Sequence, residues 1–212
     1  MKIRKITIEN YRLLKSFSID LEDELSLVVG KNNTGKTSLL SVLNKFINAN
    51  ERNKFSFDDF NLDFREELYR LIKSHKTEAD YTPVGISLKM FIDYNEHDNL
   101  ANISRVMMDL DPSNNTVVLG FEHSLSAESL NQLRLDYAEF EKQRLEVEPK
   151  GEAKTETENK TCKCDSLSAF LKKNLSSYFT THKKSIEYNN KTNSENDAVY
   201  IDLENDNAHL KN

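Results

Sequence analysis

The sequence predicts an α/β fold in which a strand, a glycine-rich loop and a helix follow one another. Three observations predict it. The run Leu25–Val29 is apolar, as a buried strand would be. The run Gly30–Thr37 fits the phosphate-binding pattern G-x-x-x-x-G-K-[ST] at every required position. Apolar residues then recur at helical spacing, at Leu39, Leu40, Val42, Leu43, Phe46 and Ile47.

The loop contains the residue types that a triphosphate site requires. Its two glycines let the backbone curl around an anion, and the helix that follows presents unpaired N–H groups to negative charge. Lys36 would reach the β- and γ-phosphates, and the Thr37 hydroxyl would bind Mg²⁺. Ser38, a second hydroxyl, is better suited to capping or packing. We therefore predict ATP binding by Gly30, Lys31, Asn32, Asn33, Thr34, Gly35, Lys36, Thr37 and Ser38, with Mg²⁺ on Thr37.

Composition limits the function classes. The chain has 212 residues, 37% of them apolar, which suits one large soluble domain or two small ones. No membrane-length apolar stretch or secretory leader is present, so we expect a cytoplasmic protein. A net charge of −6 argues against a broad nucleic-acid-binding surface, although a local basic patch stays possible. Cys162 and Cys164 supply half a zinc site at most, and two reduced thiols are the simpler interpretation.

Before the loop, we expect a small antiparallel element. Apolar residues alternate in a first strand around Ile6 and Ile8 and in a second strand over 17–21, and the acidic turn 22–24 leads into Leu25–Val29. After the loop, periodicity predicts helices over 36–48, 63–74, 99–110, 126–145 and 165–179, and strands over 84–94, 117–121 and 199–203.

Two polar stretches divide the second half of the chain. Residues 146–164 have almost no apolar side chains and are predicted to be a mobile loop or insertion, and residues 189–197 are predicted to be a linker. We therefore expect a nucleotide-binding core over 1–145, the polar segment 146–164, and a helix and strand over 165–212 that continue the same unit.

The sequence resembles the beginning of ABC-type ATPase heads, among them RecF, SMC and Rad50-like proteins. The resemblance rests on Lys2–Arg12, which contains the pattern I-x-N-[FY]-R, and on the run Gly30–Leu40, which contains G-x-N-[NG]-[ST]-G-K-[ST]. Within that superfamily the chain is most similar to the OLD family of ATP-dependent endonucleases. This narrower resemblance rests on Phe55–Phe60, on the alternating strand 84–94 and on Phe170–Phe179.

The resemblance implies a P-loop NTPase fold, with a mixed sheet, an antiparallel N-terminal element and flanking helices. It also implies ATP-driven dimerisation of two heads, and a C-terminal Toprim nuclease domain that would contact DNA and is absent from this sequence. Arg12 would lie near the nucleotide, or else be an exposed first-strand arginine. Asp58 and Asp59 occupy the place of a Q-loop, but no glutamine is present, so ordinary turn carboxylates are the simpler interpretation.

Hydrolysis also needs a strand-end Asp for Mg²⁺ and a Glu that orients water. Asp109 and Asp202 are poor candidates, because the first lies in a helical pattern and the second in a half-exposed strand. The missing parts imply an incomplete head. We therefore predict the ATP-binding N-terminal portion of an OLD-like ATPase–endonuclease, acting in DNA processing or phage defence. The alternatives are a RecF/SMC-like repair ATPase, or a nucleotide-binding or interaction module that does not hydrolyse.

Overall fold

The computed structural model describes residues 1–31, 34–49, 53–74, 81–109, 111, 113–147 and 166–203. The strands are β1 Lys2–Tyr11, β2 Leu14–Asp20, β3 Val84–Asp93, β4 Thr116–Leu125, β5 Phe179–Asn189 and β6 Ser194–Asp202. They form one six-stranded sheet in the order β2-β1-β3-β4-β5-β6. Every pairing within it is antiparallel, whereas the sequence predicted a mixed sheet.

The helices are α1 Lys36–Ile47, α2 Leu62–Lys73, α3 Ala127–Val147 and α4, of which residues 166–174 are described. Within the part of the chain that the structure describes, no helix has both the length and the apolar character needed to cross a bilayer.

The main core lies between one face of the sheet and these helices. Strand alternation sends Ile8, Leu88 and Phe121 to this face, and all three belong to one apolar cluster. The same cluster includes buried residues from each helix, namely Leu39, Val42 and Phe46 of α1, Phe64, Leu68 and Ile72 of α2, Leu130, Leu133 and Tyr137 of α3, and Leu167, Phe170 and Leu171 of α4. The sheet and helices therefore stabilise each other by apolar burial on one side.

The opposite face of the sheet holds a smaller apolar cluster, Phe91, Val118, Ile186 and Tyr188. Lys89 of β3 binds Glu195 and Asp197 of β6 on this side, at 2.5 and 2.9 Å. Two strands separate β3 from β6, a spacing of about 14 Å in a flat sheet, which is more than a lysine side chain spans. The sheet therefore curls, and β6 folds over its outer face.

Most regular elements agree with the periodicity. The first two strands, the strand over 84–94, and the helices over 36–48, 63–74 and 126–145 are confirmed within a few residues at each end. The predicted N-cap of α3 is confirmed as well, because the Ser129 N–H donates to Ser126 Oγ at 3.1 Å. The neighbouring Leu125 and Leu130 are both buried.

The predicted helix over 99–110 is wrong. The structure has a short 3₁₀ turn, Leu100–Asn102, followed by turns and an irregular stretch, and residue 110 lies outside the described residues. Side-chain oxygens of Asn99 and Asp109 accept hydrogen bonds from the backbone two residues on. Such local bonds compete with helix formation, and they outweigh an apolar spacing that looked helical.

The predicted helix over 165–179 is too long, and the predicted linker 189–197 is wrong. Helical residues end at 174, a 3₁₀ turn covers Leu175–Ser177, and β5 begins at Phe179. Residues 190–193 form the turn that joins β5 to β6, whose first residue is Ser194. The predicted loop 146–164 overlaps the end of α3, and its residues from 148 onward, with Cys162 and Cys164, lie outside the described residues.

Candidate functional site

The predicted phosphate-binding loop leads into the N-terminus of α1. Gly35 is the N-cap residue, no side chain caps this end, and the first turn holds no acidic residue. The first N–H groups of a helix have no partner within it, and the helix dipole adds partial positive charge there. This end of α1 is therefore suited to an anion.

Gly35 is required by its conformation and by its neighbours. Its backbone φ of 93° lies in the left-handed region, which residues other than glycine rarely adopt. A Cβ at this position would lie 2.7 Å from Leu14 Cδ2. The start of β2 therefore packs directly against the loop and fixes where α1 begins.

Lys36 closes the loop on itself. Its ammonium donates to the carbonyl oxygens of Gly30 and Lys31, at 2.6 Å each. Thr34 Oγ1 also donates to the Lys31 carbonyl, at 2.9 Å. A cavity of about 320 Å³ lies beside the loop, lined by Phe17, Val28, Val29, Gly30, Thr34, Gly35, Lys36 and Leu39. Asn32 and Asn33 lie outside the described residues.

The two hydroxyl residues after Lys36 differ in exposure. Thr37 is exposed, whereas Ser38 is buried in the first turn of α1. A hydroxyl that binds a metal ion must reach solvent or ligand, so Thr37 has the environment that Mg²⁺ coordination needs. Ser38 has the environment of a packed residue.

The predicted strand before the loop is wrong. Residues 24–30 have no regular secondary structure, and Leu25, Leu27 and Val29 are 79%, 80% and 78% exposed. An apolar run becomes a strand only where a neighbouring strand pairs with its backbone groups. Among the described residues, no strand pairs with this segment.

Arg12 lies in the turn between β1 and β2, next to the loop. Its backbone has a φ of 47°, and its guanidinium donates to Asp59 Oδ1 from Nε and Nη2, at 3.0 and 2.8 Å. The next residue, Leu13, lies within 4 Å of where a Gly35 Cβ would be. The structure thus places the neighbour of Arg12 beside the loop and pairs the charge of Arg12 with a carboxylate of the protein.

Asp59 holds three segments together, and sequence reasoning missed this role. It lies in the 3₁₀ turn Phe57–Asp59 and is 1% exposed. Besides Arg12, it accepts from the Ser56 N–H at 2.9 Å and pairs with Lys45 of α1 at 3.1 Å. The Ser56–Asp59 pair forms a capping box, a pattern that the sequence already contained.

Burial alone would raise the pKa of Asp59, but hydrogen bonds from Ser56, Lys45 and Arg12 outweigh it and lower the pKa below its usual range. The carboxylate is therefore ionised and matched by two cations. Asp58 differs, because it is exposed and pairs with Lys172 at 3.0 Å. Asp58 is an ordinary turn carboxylate, as predicted.

The structure brings no catalytic carboxylate to the loop among the described residues. Asp109 lies in an irregular stretch, where its carboxylate accepts from the Asp111 N–H and from Asn114. Asp202 ends β6, which is at the far edge of the sheet from β2. The helix that the sequence predicted around Asp109 is absent from the structure, but Asp109 does not end a strand either.

These features define a class of protein. An α/β arrangement with a curled antiparallel sheet, and a glycine–lysine loop at a helix N-terminus, fit a P-loop NTPase type of fold. A family model described as "AAA ATPase domain" matches residues 1–212, and the chain therefore belongs to the AAA ATPase domain family.

A 40-residue segment of the chain is also similar to a curated protein. It is 48% identical to the DNA replication and repair protein RecF of Chlorobium phaeovibrioides (strain DSM 265 / 1930). The match covers 19% of this chain and 11% of the RecF protein. The similarity to RecF is therefore confined to a short stretch of both sequences.

Proposed function

We propose that the chain binds ATP with Mg²⁺ through Gly30–Thr37 and the start of α1. The observation that carries this proposal is the Lys36 ammonium, held 2.6 Å from two carbonyl oxygens of the loop at an uncapped helix N-terminus. A phosphate group would offer this ammonium a full negative charge in place of two neutral carbonyls, which makes a stronger hydrogen bond.

The residues present fit a nucleotide and its metal ion. The first N–H groups of α1 and the Lys36 ammonium would hold the phosphates, and the exposed Thr37 hydroxyl would hold Mg²⁺, which neutralises phosphate charge. Arg12 is a further proposed contact, supported by its place in the turn whose next residue, Leu13, lies near Gly35. Its bond to Asp59 would orient the guanidinium.

Calorimetric titration with Mg²⁺-ATP tests this proposal. We expect Lys36→Ala to weaken binding about 100-fold, because the phosphates lose their hydrogen bonds to the Lys36 ammonium. The matched control is Lys142→Ala, an exposed lysine on α3, which should bind like the wild type. Equal affinity of Lys36→Ala and the control, with both variants folded by circular dichroism, would refute the assignment of the loop.

For the whole protein we propose an OLD-like ATPase–endonuclease in which ATP clamps two heads together and regulates DNA processing, for example in phage defence. The motifs in Lys2–Arg12 and Gly30–Leu40 support the superfamily, and those in Phe55–Phe60 and Phe170–Phe179 support the OLD family. DNA contact and cleavage would belong to regions beyond this chain, and the site of action would be the cytoplasm.

A RecF-like repair ATPase without a nuclease is the second candidate, and the 48% identity to RecF over 40 residues favours it. The two candidates differ in a measurable activity. The OLD-like protein, produced from its complete reading frame, should cut DNA with Mg²⁺, and cutting should depend on ATP and on Lys36. ATP-dependent DNA binding without any cutting would favour the RecF-like candidate.

A further inference from the structure

A second pocket lies at the other end of α1 from the phosphate-binding loop. It has a volume of about 340 Å³ and is formed by the end of α1, the segment 53–56, the end of α4 and the start of β5. Lys45, which lines this pocket, is nine positions after Lys36 in α1, a rise of about 13.5 Å, so the two sites are distinct. Its size is at the lower end of the range of small-ligand pockets.

Aromatic rings form one wall of this pocket. Phe55 stacks on His123 with ring centroids 4.5 Å apart and planes 19° apart, and Phe179 lies 5.6 Å from the same imidazole. All three residues line the cavity. These rings give the cavity an aromatic wall, against which the ring of a ligand could pack.

His123 has an unmet hydrogen-bonding group in this wall. The side chain is 6% exposed, and its Nδ1 lies 3.0 Å from Thr181 Oγ1. Its Nε2 is buried and has no partner among the described residues. Burial lowers the pKa of His123 to about 4, so the ring is neutral near pH 7. A buried polar atom normally has a partner, which a ligand could supply.

Lysines give the pocket a positive charge. Lys45, Lys54, Lys172 and Lys173 line it, and no carboxylate does. Lys45 is matched by Asp59 and Lys172 by Asp58. Among the described residues, no carboxylate pairs with Lys54 or Lys173, so both of these ammonium groups remain for a ligand. A phosphate group is a suitable counterpart for ammonium groups.

We propose that this pocket binds a nucleoside monophosphate, with the base against the Phe55–His123–Phe179 wall and the phosphate between Lys54 and Lys173. The acidic protein therefore carries a local basic site away from its ATP loop. The ligand would be a free nucleotide, because the cavity accommodates a single base and phosphate.

Calorimetric titration of AMP into the Lys36→Ala protein tests this proposal without a contribution from the ATP loop. We expect measurable binding that falls about tenfold or more in the double variant Lys54→Glu, Lys173→Glu, because both phosphate contacts become repulsive. Lys142→Glu is the matched control and should change the affinity less than twofold. Both variants alter exposed or rim residues, and thermal melts monitored by circular dichroism would verify folding.

Partial ligands separate the two halves of the site. Ribose 5-phosphate lacks the base and adenosine lacks the phosphate, so each should bind about tenfold or more weakly than AMP. Absence of AMP binding, equal AMP affinity in the Lys54→Glu, Lys173→Glu variant, or equal affinity for ribose 5-phosphate and AMP would each overturn the proposal. Binding of a single-stranded oligonucleotide without binding of AMP would overturn it as well.

Discussion

Asp59 connects the parts of the molecule that position the predicted phosphate-binding loop. Its carboxylate binds Arg12 of the turn after β1, Lys45 of α1 and the backbone of Ser56. Leu13, in the turn after β1, lies near Gly35. Tyr11, at the end of β1, places its Oη 2.8 Å from Ser41 Oγ on α1. One buried carboxylate therefore fixes α1 against β1.

Removing the charge of Asp59 should destabilise the fold. Asp59→Asn keeps the shape of the side chain but leaves Lys45, whose side chain is 15% exposed, without its counter-charge. We expect the free energy of unfolding to fall by about 2–3 kcal/mol, less than for a fully buried pair because Arg12 is 40% exposed. Urea denaturation followed by circular dichroism measures this change.

Asp58→Asn is the matched control, because Asp58 is the neighbouring carboxylate and is 61% exposed. Its surface ion pair should contribute less than about 1 kcal/mol. Equal losses of stability in the two variants would contradict the connecting role of Asp59.

At the residue scale, a phosphate-binding loop can be predicted from the local spacing of Gly30, Gly35 and Lys36, whereas the buried carboxylate could not be predicted. The role of Asp59 depends on Arg12 and Lys45, which are 47 and 14 positions away in sequence. The capping box from Ser56 to Asp59 predicts a local cap but does not identify these distant cations.

At the scale of elements, the segment before the loop shows that an apolar run is not necessarily buried. Leu27 lies in an apolar run yet is 80% exposed, whereas Leu88, in the middle of β3, is fully buried. The same substitution should therefore change the free energy of unfolding much more at Leu88 than at Leu27. Hydrophobic stabilisation depends on the area removed from water, not on the residue type.

We expect Leu88→Ala to lower the free energy of unfolding by about 2–5 kcal/mol, because it leaves a cavity in the core. Leu27→Ala should change it by less than about 0.5 kcal/mol, as is usual for surface positions. Urea denaturation of the two variants measures both values. A large loss for Leu27→Ala would mean that the segment is packed in solution.

Elements were predictable where apolar and polar residues alternate along the strand. The alternation in 84–94 gave β3 because its partners β1 and β4 leave one face to the core. β5 was missed because its middle is polar. Lys184 there pairs with Glu122 of β4 at 2.6 Å and packs over Tyr200 of β6, so side-chain pairs occupy the outer face in place of an apolar stripe.

At the scale of the whole molecule, the α/β class follows from sequence periodicity, but the curl of the sheet does not. The curl brings Lys89 to Glu195 and Asp197, more than 100 positions away. The two pockets likewise combine residues from distant segments. Long-range juxtapositions of this kind leave no local pattern in a single sequence.

Global stability should also depend on pH in a defined window, because the core contains His123. Burial lowers its pKa from 6.5 to about 4, an effect that Asp59 opposes and Lys45 and His182 reinforce. Between these values the unfolded chain binds a proton that the folded chain does not. The free energy of unfolding should therefore fall by up to about 3 kcal/mol as the pH drops from 6.5 to 4.

The carboxylates act at lower pH. The pKa values of Asp59 and Glu141 lie below their ordinary values of 3.8 and 4.5, so their contributions are complete above these values and are lost as the pH falls below them. Urea denaturation at half-unit pH intervals separates the two windows. His123→Phe removes the titrating group while keeping an aromatic ring against Phe55, so its stability should stay nearly constant between pH 6.5 and about 4.5. The same slope in both proteins would show that another group titrates in this window.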